Sequence, residues 1–266
     1  MMISSKHRKI QKKYRPALFD FLAYRALEFF ENDESSIIQP VYAFELDAKE
    51  YFGSASEFKE LIIETKDSLS LKFYAVRILQ ELISFHLDDK DPAPLIDADL
   101  IRLDFVHNYS TLEFKDSLYL ESLLHLEEKF KGEPVVSDAG YRIALEYSRR
   151  GSQFTPAISG NFKWDKKKAF DKCNEIIAKY PESNGAVNCG NLKQQLGQQN
   201  IQQTIESVNV PDKPFPALIQ FTNVSELWFK IIKIDYSTER DFRTEFQNQR
   251  DLVQKYNSFP VYQTWK

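Results

Sequence analysis

Apolar residues recur every three or four positions through roughly the first 200 residues of the chain. This spacing is typical of amphipathic helices, which turn one apolar stripe towards a core. The predicted helices span positions 14–32, 56–63, 67–86, 96–108, 114–131, 135–150, 165–180 and 184–198. Short turns separate most of them, so we expect neighbouring helices to pack antiparallel.

Two of these helices carry the clearest apolar stripes. The residues expected to face the core are Leu18, Leu22, Ala26 and Phe29 in the first helix, and Leu71, Ala75, Ile78, Leu82 and Phe85 in the helix at 67–86. Asp67 or Ser68 is the predicted N-cap of the second of these, because short polar side chains accept the free amide hydrogens of a first turn.

One predicted hairpin resembles a tetratricopeptide repeat. Ala169, Cys173 and Pro181 fall where the second helix of such a repeat places a small residue, a larger one and a closing proline. The helix containing positions 139–147 resembles the preceding repeat helix, but the loop at 151–161 is longer than a repeat of about 34 residues allows. The pattern therefore predicts a degenerate TPR-like α-solenoid of antiparallel helical hairpins.

Beyond Asn200 the period changes from helical to alternating. Runs at 201–210, 215–223 and 226–235 read as strands, and the third switches its apolar side at Ile232, which predicts a β-bulge. A polar helix is expected near the carboxyl end at 237–256, followed at 259–263 by at most the stub of another strand. Three such strands make half of a β-sandwich, so the sequence predicts an incomplete β domain.

The predicted organisation is a basic N-terminal arm at 1–13, a helical region at 14–199 and the β region at 200–266. The net charge of −4 is spread along the chain and indicates no class of partner. We interpret the cluster of basic residues in the arm as a solvated segment and predict no nucleic-acid binding. No secretory signal or membrane span is recognisable, so the chain as written is expected to be soluble and without an export address.

The residues that usually carry chemistry do not form known motifs here. His7, His86, His107 and His125 are scattered, and Glu121, one helical turn from His125, reads as its surface partner. The acidic residues around Pro92 are predicted to be solvated turn residues: Asp88, Asp89, Asp91, Asp97 and Asp99. We therefore predict no catalytic residue, no metal site, no cofactor and no identifiable small-molecule substrate.

The two cysteines are the one informative pair. Cys173 and Cys189 each lie eight residues from Pro181, on opposite arms of a predicted hairpin. At 1.5 Å per residue both stand about 12 Å from the turn, so they can face each other. The spacing fits a structural disulfide and fits two buried thiols equally well.

Four stretches of the chain resemble the N-terminal part of the large alpha-2-macroglobulin-like proteins of the Bacteroidetes type. They are YRPALFDFLAYRALEFF, TKDSLSLKFYAVRILQELISFHL, KAFDKCNEIIAKYPESNGAVNC and IESVNVPDKPFPALIQFTNVSELWFKIIKID. Such proteins place a TPR-like helical region before the first of many macroglobulin β-sandwich domains. The last stretch is the most specific, because it joins a repeat helix to the first strands.

The resemblance implies a fragment of a protein whose later domains trap proteases, with the remaining macroglobulin domains and proteases as its partners. Some members of the family capture the protease through a thioester in a GCGEQ-like motif, and this sequence contains no such motif. Family members are exported, so the resemblance implies a periplasmic or cell-envelope location and favours the disulfide between Cys173 and Cys189.

Three hypotheses follow from the sequence. The leading one is a non-catalytic piece of a macroglobulin-type endopeptidase inhibitor that acts at most as a scaffold or protein-interaction region. The second is a stand-alone helical-repeat adaptor whose groove binds a peptide or a partner protein. The third, an enzyme with a dispersed active site, is disfavoured because no activated nucleophile, acid–base pair or cofactor anchor is recognisable.

Overall fold

The computed structural model of the chain describes residues 13–31, 40–155, 160–206, 208, 210, 213–245 and 248–266. They form two compact units, the first ending at Leu196 and the second beginning at Gly197. Positions 1–12 of the predicted basic arm, with His7, and the loop position Pro156 lie outside the described residues.

The described part of the first unit consists of helices joined by turns. Their bounds are α1 Leu18–Phe30, α2 Ala55–Lys59, α3 Leu71–His86, α4 Ala93–Tyr109, α5 Lys115–Lys129, α6 Ser137–Ser152, α7 Asp165–Lys179 and α8 Asn184–Leu196. Short 3-10 turns at Lys49–Phe52 and Pro134–Val136 precede α2 and α6. From α3 to α8 each helix packs on the next one in sequence. The prediction of a mostly helical protein is confirmed.

Local sequence signals explain where several helices begin and end. Ser54 opens α2 with a capping box, in which the Glu57 carboxylate accepts the Ser54 backbone N–H at 2.8 Å. The N-cap of α3 is Ser70, whose hydroxyl accepts the Phe73 N–H at 3.2 Å, so the prediction of Asp67 or Ser68 was wrong by two to three residues. After α5 the chain turns at Gly132, whose φ of 104° lies in the region that glycine favours.

Two apolar clusters fill the first unit as far as its residues are described. One joins α1 to α4 around Leu79, Leu82 and Ile83, and the other joins α4 to α8 around Leu123 and Ile143. The apolar spacing also predicts a stripe in α5 that includes Tyr119, Leu123 and Leu126, and one in α6 that includes Ile143 and Ala144. All five residues are buried, which confirms this prediction.

The buried face of α1 differs from the prediction. Leu18 is 73% exposed and Phe29 is 65% exposed, whereas Asp20 is fully buried. The Asp20 carboxylate binds the ring of His86 on α3, and the Tyr24 hydroxyl donates to Asp97 on α4. These polar contacts fix which side of α1 meets the core. Phe85, also predicted to be buried, is half-exposed.

The described residues of the second unit form strands and two short helices. Their bounds are β1 Asn200–Ile205, β2 Ala217–Thr222, β3 Phe229–Ile232, α9 Tyr236–Glu245, α10 Gln249–Asn257 and β4 Val261–Trp265. The single polar helix predicted near the carboxyl end is two helices, and the predicted strand stub is a full strand, β4. β1 pairs with β2 and β3 pairs with β4, both antiparallel, in separate two-stranded sheets.

The prediction that three strands share one sheet was therefore wrong, since β3 takes its partner from beyond two helices. The β3–β4 register shifts between Ile231 and Ile232, which confirms the predicted bulge. Next to this sheet the rings of Phe242, Tyr256 and Phe259 pack together, with centroids 6.4 and 5.8 Å from that of Phe242. The two helices thus share an aromatic cluster with the turn that leads into β4.

Candidate functional site

The cysteine pair lies where the hairpin spacing placed it. Cys173 on α7 and Cys189 on α8 are both fully buried, and both are free thiols in the structure. The two side chains are hydrogen-bonded to each other. Sharing this proton raises the pKa of Cys189, as does burial, and lowers the pKa of Cys173. The close approach is compatible with either of the states that the sequence left open.

The acidic residues around Pro92 occupy two different environments. Asp89 binds the ring of His86 at 2.7 Å, and Asp91 accepts the Ala93 N–H at 3.0 Å, so these two belong to the turn as predicted. Asp97 and Asp99, in contrast, lie within α4 and are largely or almost fully buried. Their assignment to a solvated turn was wrong, because α4 begins at Ala93, immediately after Pro92.

A polar network that the sequence analysis missed links α4, α5 and α6. The Arg142 guanidinium of α6 donates from Nε to both oxygens of Asp104 on α4, at 3.0 and 2.8 Å. Tyr119 of α5 donates to the same carboxylate at 2.5 Å. Burial, followed by the charge of Asp104, raises the pKa of Tyr119, so the phenol remains protonated.

The network continues along α4 towards the N-terminal segment. Arg15 forms an ion pair with Asp97 at 3.4 Å and stacks on the Tyr24 ring, 3.6 Å from its centroid. Burial raises the pKa of Asp97 although Arg15 opposes the shift. Burial also raises the pKa of Asp138 on α6 to about 6, with Arg142 opposing the shift and Asp97 adding to it. Carboxyl groups with raised pKa values therefore concentrate on the facing sides of α4 and α6.

A cavity of about 450 Å³ opens beside this network, between α1 and α4. Among the described residues, its wall combines the carboxylates of Glu28, Glu31 and Asp104 with aromatic rings and the guanidinium of Arg15. Glu28 is paired with Arg25, and Asp104 is paired with Arg142. Burial, then the charges of Asp104 and Glu28, raise the pKa of Glu31. We call this cavity the acidic groove. Carboxylates beside aromatic rings favour a cationic side chain.

A sequence signal for this network exists. Asp97 and Asp104 are seven residues apart, and Asp138 and Arg142 are four apart, so each pair occupies one face of its helix. Charged residues at helical spacing within an otherwise apolar segment indicate partners on a neighbouring helix. The sequence does not identify those partners, because they come from other helices.

The second unit presents an exposed apolar face. On the β1–β2 sheet, Ile201 lies opposite Phe221, and Ile205 lies opposite Ala217. Side chains alternate across a strand, so these residues share one side of the sheet with Ile219. Phe221 is 56% exposed and Ile201 is 55% exposed. We call this side the apolar strand face, and the opposite side carries Gln202, Thr204, Gln220 and the exposed Leu218.

The chain matches no model of a known protein family, no curated protein and no solved structure. Within the described residues, no helix combines the length and the apolar content that a membrane span requires. The class that the structure defines is a mostly helical protein with small antiparallel strand pairs.

Proposed function

We propose that the chain is a non-catalytic scaffold whose second unit binds a β-strand of another polypeptide on the apolar strand face. The single observation that carries this proposal is the exposure of Ile201 and Phe221 on one side of a two-stranded sheet. A two-stranded sheet is marginally stable alone, and contiguous exposed apolar side chains usually mark an interaction surface. The sequence resemblance to alpha-2-macroglobulin-like proteins supports a macroglobulin-type β domain as the source of the strand.

The charge of the second unit agrees with an apolar partner. Positions 197 to 266 contain eight acidic and eight basic side chains, so this unit has no net charge to attract a strongly charged ligand. Binding therefore depends on burial of apolar side chains on the apolar strand face. In this proposal any protease trapping belongs to the partner domains, and the helical unit supports the β unit.

Site-specific photocrosslinking in cells that produce the chain naturally tests this proposal. p-Benzoylphenylalanine replaces either Gln203, which lies on the apolar strand face opposite Ile219, or its neighbour Gln202, which lies on the other side. We expect crosslinks from position 203 only, and mapping of the crosslinked peptide to a segment of alternating apolar and polar residues in a macroglobulin-type polypeptide. Equal crosslinking from both positions, or none from 203, would contradict the proposal.

The acidic groove favours a second candidate, a helical-repeat adaptor that binds a basic peptide. Glu31 has no ion-pair partner among the described residues, and rings of Tyr24 and Phe105 line the same cavity. In the same experiment, p-benzoylphenylalanine at Asn108 in the groove would crosslink to a Lys- or Arg-rich peptide, whereas the exposed control position Gln195 on α8 would not. Crosslinks at 108 and none at 203 would favour the adaptor.

A further inference from the structure

A second cavity, separate from the acidic groove, opens between the 3-10 turn Lys49–Phe52, helix α2 and helix α5. Its volume is about 530 Å³, which lies in the range of cavities that hold small molecules. Much of its wall is apolar, with Phe52 and Ala55 on one side and Leu118 and Leu126 of α5 on the other. The exposed polar residues of its wall include Lys49, Glu50, Glu121 and His125.

The polar part of the wall comes from α4. Asp99 and Arg102 are three residues apart on this helix and are 3% and 1% exposed. Arg102 donates to the Asp99 Oδ1 atom from Nε at 2.9 Å and from Nη2 at 2.6 Å. Its Nη1 atom donates to the backbone oxygen of Tyr51 at 2.6 Å. The pair is therefore held rigidly, with the guanidinium also 4.8 Å from the Phe58 ring centroid.

These hydrogen bonds do not use all the N–H groups of Arg102 or both carboxylate oxygens of Asp99. A guanidinium has five N–H groups, and only three are engaged, so one N–H on each terminal nitrogen has no acceptor among the described residues. The Asp99 Oδ2 atom likewise accepts no hydrogen bond from any described residue. Both residues line the cavity, so a molecule bound there can occupy these donor and acceptor positions at once.

Only some ligands can both accept a hydrogen bond from Arg102 and donate one to Asp99. A carboxylate can accept from Arg102 but has no hydrogen to donate to Asp99, which would repel it. An ammonium ion can donate to Asp99 but cannot accept from Arg102. We propose that this cavity binds a small neutral molecule with an amide or lactam edge, which accepts and donates side by side, on a flat apolar body.

Three probes of the same size separate these chemistries: benzamide, benzoate and benzylamine. Each is titrated into the full chain and followed by isothermal titration calorimetry and by ligand-observed NMR. We expect benzamide to bind about fivefold or more tightly than either charged probe, because only benzamide makes both hydrogen bonds. Equal affinities for all three, or no saturable benzamide binding, would overturn the proposal and indicate that the cavity holds only water.

Two substitutions on α5 locate the binding. Leu118→Trp fills the cavity from its apolar wall and is expected to abolish benzamide binding, whereas Leu124→Trp on the exposed side of the same helix is expected to leave the affinity unchanged. Circular dichroism and thermal unfolding verify that both variants are folded. Benzamide binding to Leu118→Trp as tight as to the unsubstituted chain would place the probe elsewhere and refute the assignment.

Asp99→Asn provides an independent comparison, since loss of its charge should remove the preference for benzamide over benzoate.

Discussion

At the scale of single residues, buried polar partners determine how α1 packs. His86 lies between two carboxylates, with Nε2 2.7 Å from Asp20 and Nδ1 2.7 Å from Asp89. Asp20 also accepts the Ala17 backbone N–H at 2.8 Å, so one side chain starts α1 and attaches it to α3. The contact between Asp20 and His86 stabilises this orientation of α1 more than burial of Leu18 or Phe29 would. A buried carboxylate without a partner costs more free energy than an exposed apolar side chain does.

His86→Ala is expected to lower the free energy of unfolding by about 2–4 kcal/mol, because it leaves the buried Asp20 carboxylate with only the Ala17 backbone N–H as a partner. Urea unfolding followed by circular dichroism measures the change. His125→Ala, at an exposed position on α5, serves as the matched control and should be nearly neutral. A loss below about 0.5 kcal/mol in His86→Ala would mean that this contact does not hold α1 in place.

Asp138 gives a pH dependence of opposite sign to the usual carboxylate. Its pKa is raised to about 6 in the folded protein, chiefly by burial, from an ordinary value of 3.8. Between these two values the folded state binds more protons than the unfolded state, so the free energy of unfolding falls as the pH rises from about 4 to about 6. Above this window the ionised carboxylate remains a destabilising group.

Asp138→Asn removes this titration. We expect the variant to be more stable than the unsubstituted chain by about 1–2 kcal/mol near pH 7.5, with the advantage vanishing near pH 4. Thermal unfolding across this pH range measures the difference. Asp171→Asn, a change at an exposed position of α7, controls for the loss of one negative charge. A constant difference at every pH would show that Asp138 does not titrate within the window.

At the scale of elements, the sequence predicted well which segments form helices, and predicted less well which face of each helix is buried. The apolar residues of α5 and α6 face the core as predicted, and the buried Glu146 of α6 is paired with Arg149 of the same helix. In α1 the apolar spacing predicted the wrong buried face, because the residues that determine how the helix packs, His86 and Asp97, lie far away in the sequence. The same limit applies to β3, whose partner β4 follows two helices. A local sequence pattern indicates the periodicity and the capping residues of a helix or strand. The pairing of distant elements depends on contacts between residues that are far apart in the sequence.

Helix α8 contains two glycines that the sequence does not distinguish. A Cβ atom on Gly185 would lie 2.1 Å from the backbone oxygen of Ser137, whereas one on Gly190 would meet nothing within 4 Å. Gly185→Ala is therefore expected to destabilise the protein by about 1–3 kcal/mol through forced separation of α6 and α8. Gly190→Ala should stabilise it by about 0.5–1 kcal/mol through helix propensity. Chemical unfolding of the two variants tests for these opposite signs, and a shared sign would contradict the close packing.

The hairpin of α7 and α8 also allows a covalent test of the cysteine pair. With oxidised glutathione, the Cys173 thiolate would displace one glutathione, and Cys189 would then release the second, so that the protein loses two hydrogens, about 2 Da. Cys173 is the expected nucleophile because accepting a hydrogen bond from Cys189 lowers its pKa. The closed loop of sixteen residues should add about 3 kcal/mol to the free energy of unfolding.

Mass spectrometry follows this oxidation on the full chain. Both thiols are buried, so the reaction should accelerate at low urea concentrations that open the hairpin without unfolding the chain. Cys189→Ser should stop at the mixed disulfide with glutathione on Cys173, and Cys173→Ser should react more slowly. Retention of both thiols after complete unfolding and refolding in the oxidant would exclude the disulfide.

At the scale of the whole molecule, the two units differ in how completely they bury their apolar residues. The helical unit encloses two clusters, whereas the apolar strand face leaves Ile201 and Phe221 in water. Burial of apolar surface contributes about 25 cal/mol per Å², so this face favours association with any surface that can cover it. When the proposed partner is absent, a second copy of the chain can provide such a surface. The second unit has no net charge, so electrostatic repulsion does not oppose this contact.

We therefore expect the purified full chain to self-associate as its concentration rises, and Phe221→Lys to weaken that association at least tenfold by placing a charge in the contact. Sedimentation velocity over a range of concentrations measures the association constant. Gln220→Lys introduces the same charge on the opposite side of β2 and should leave the constant unchanged. If the chain stays monomeric at all concentrations, or if both variants behave alike, the apolar strand face does not drive self-association.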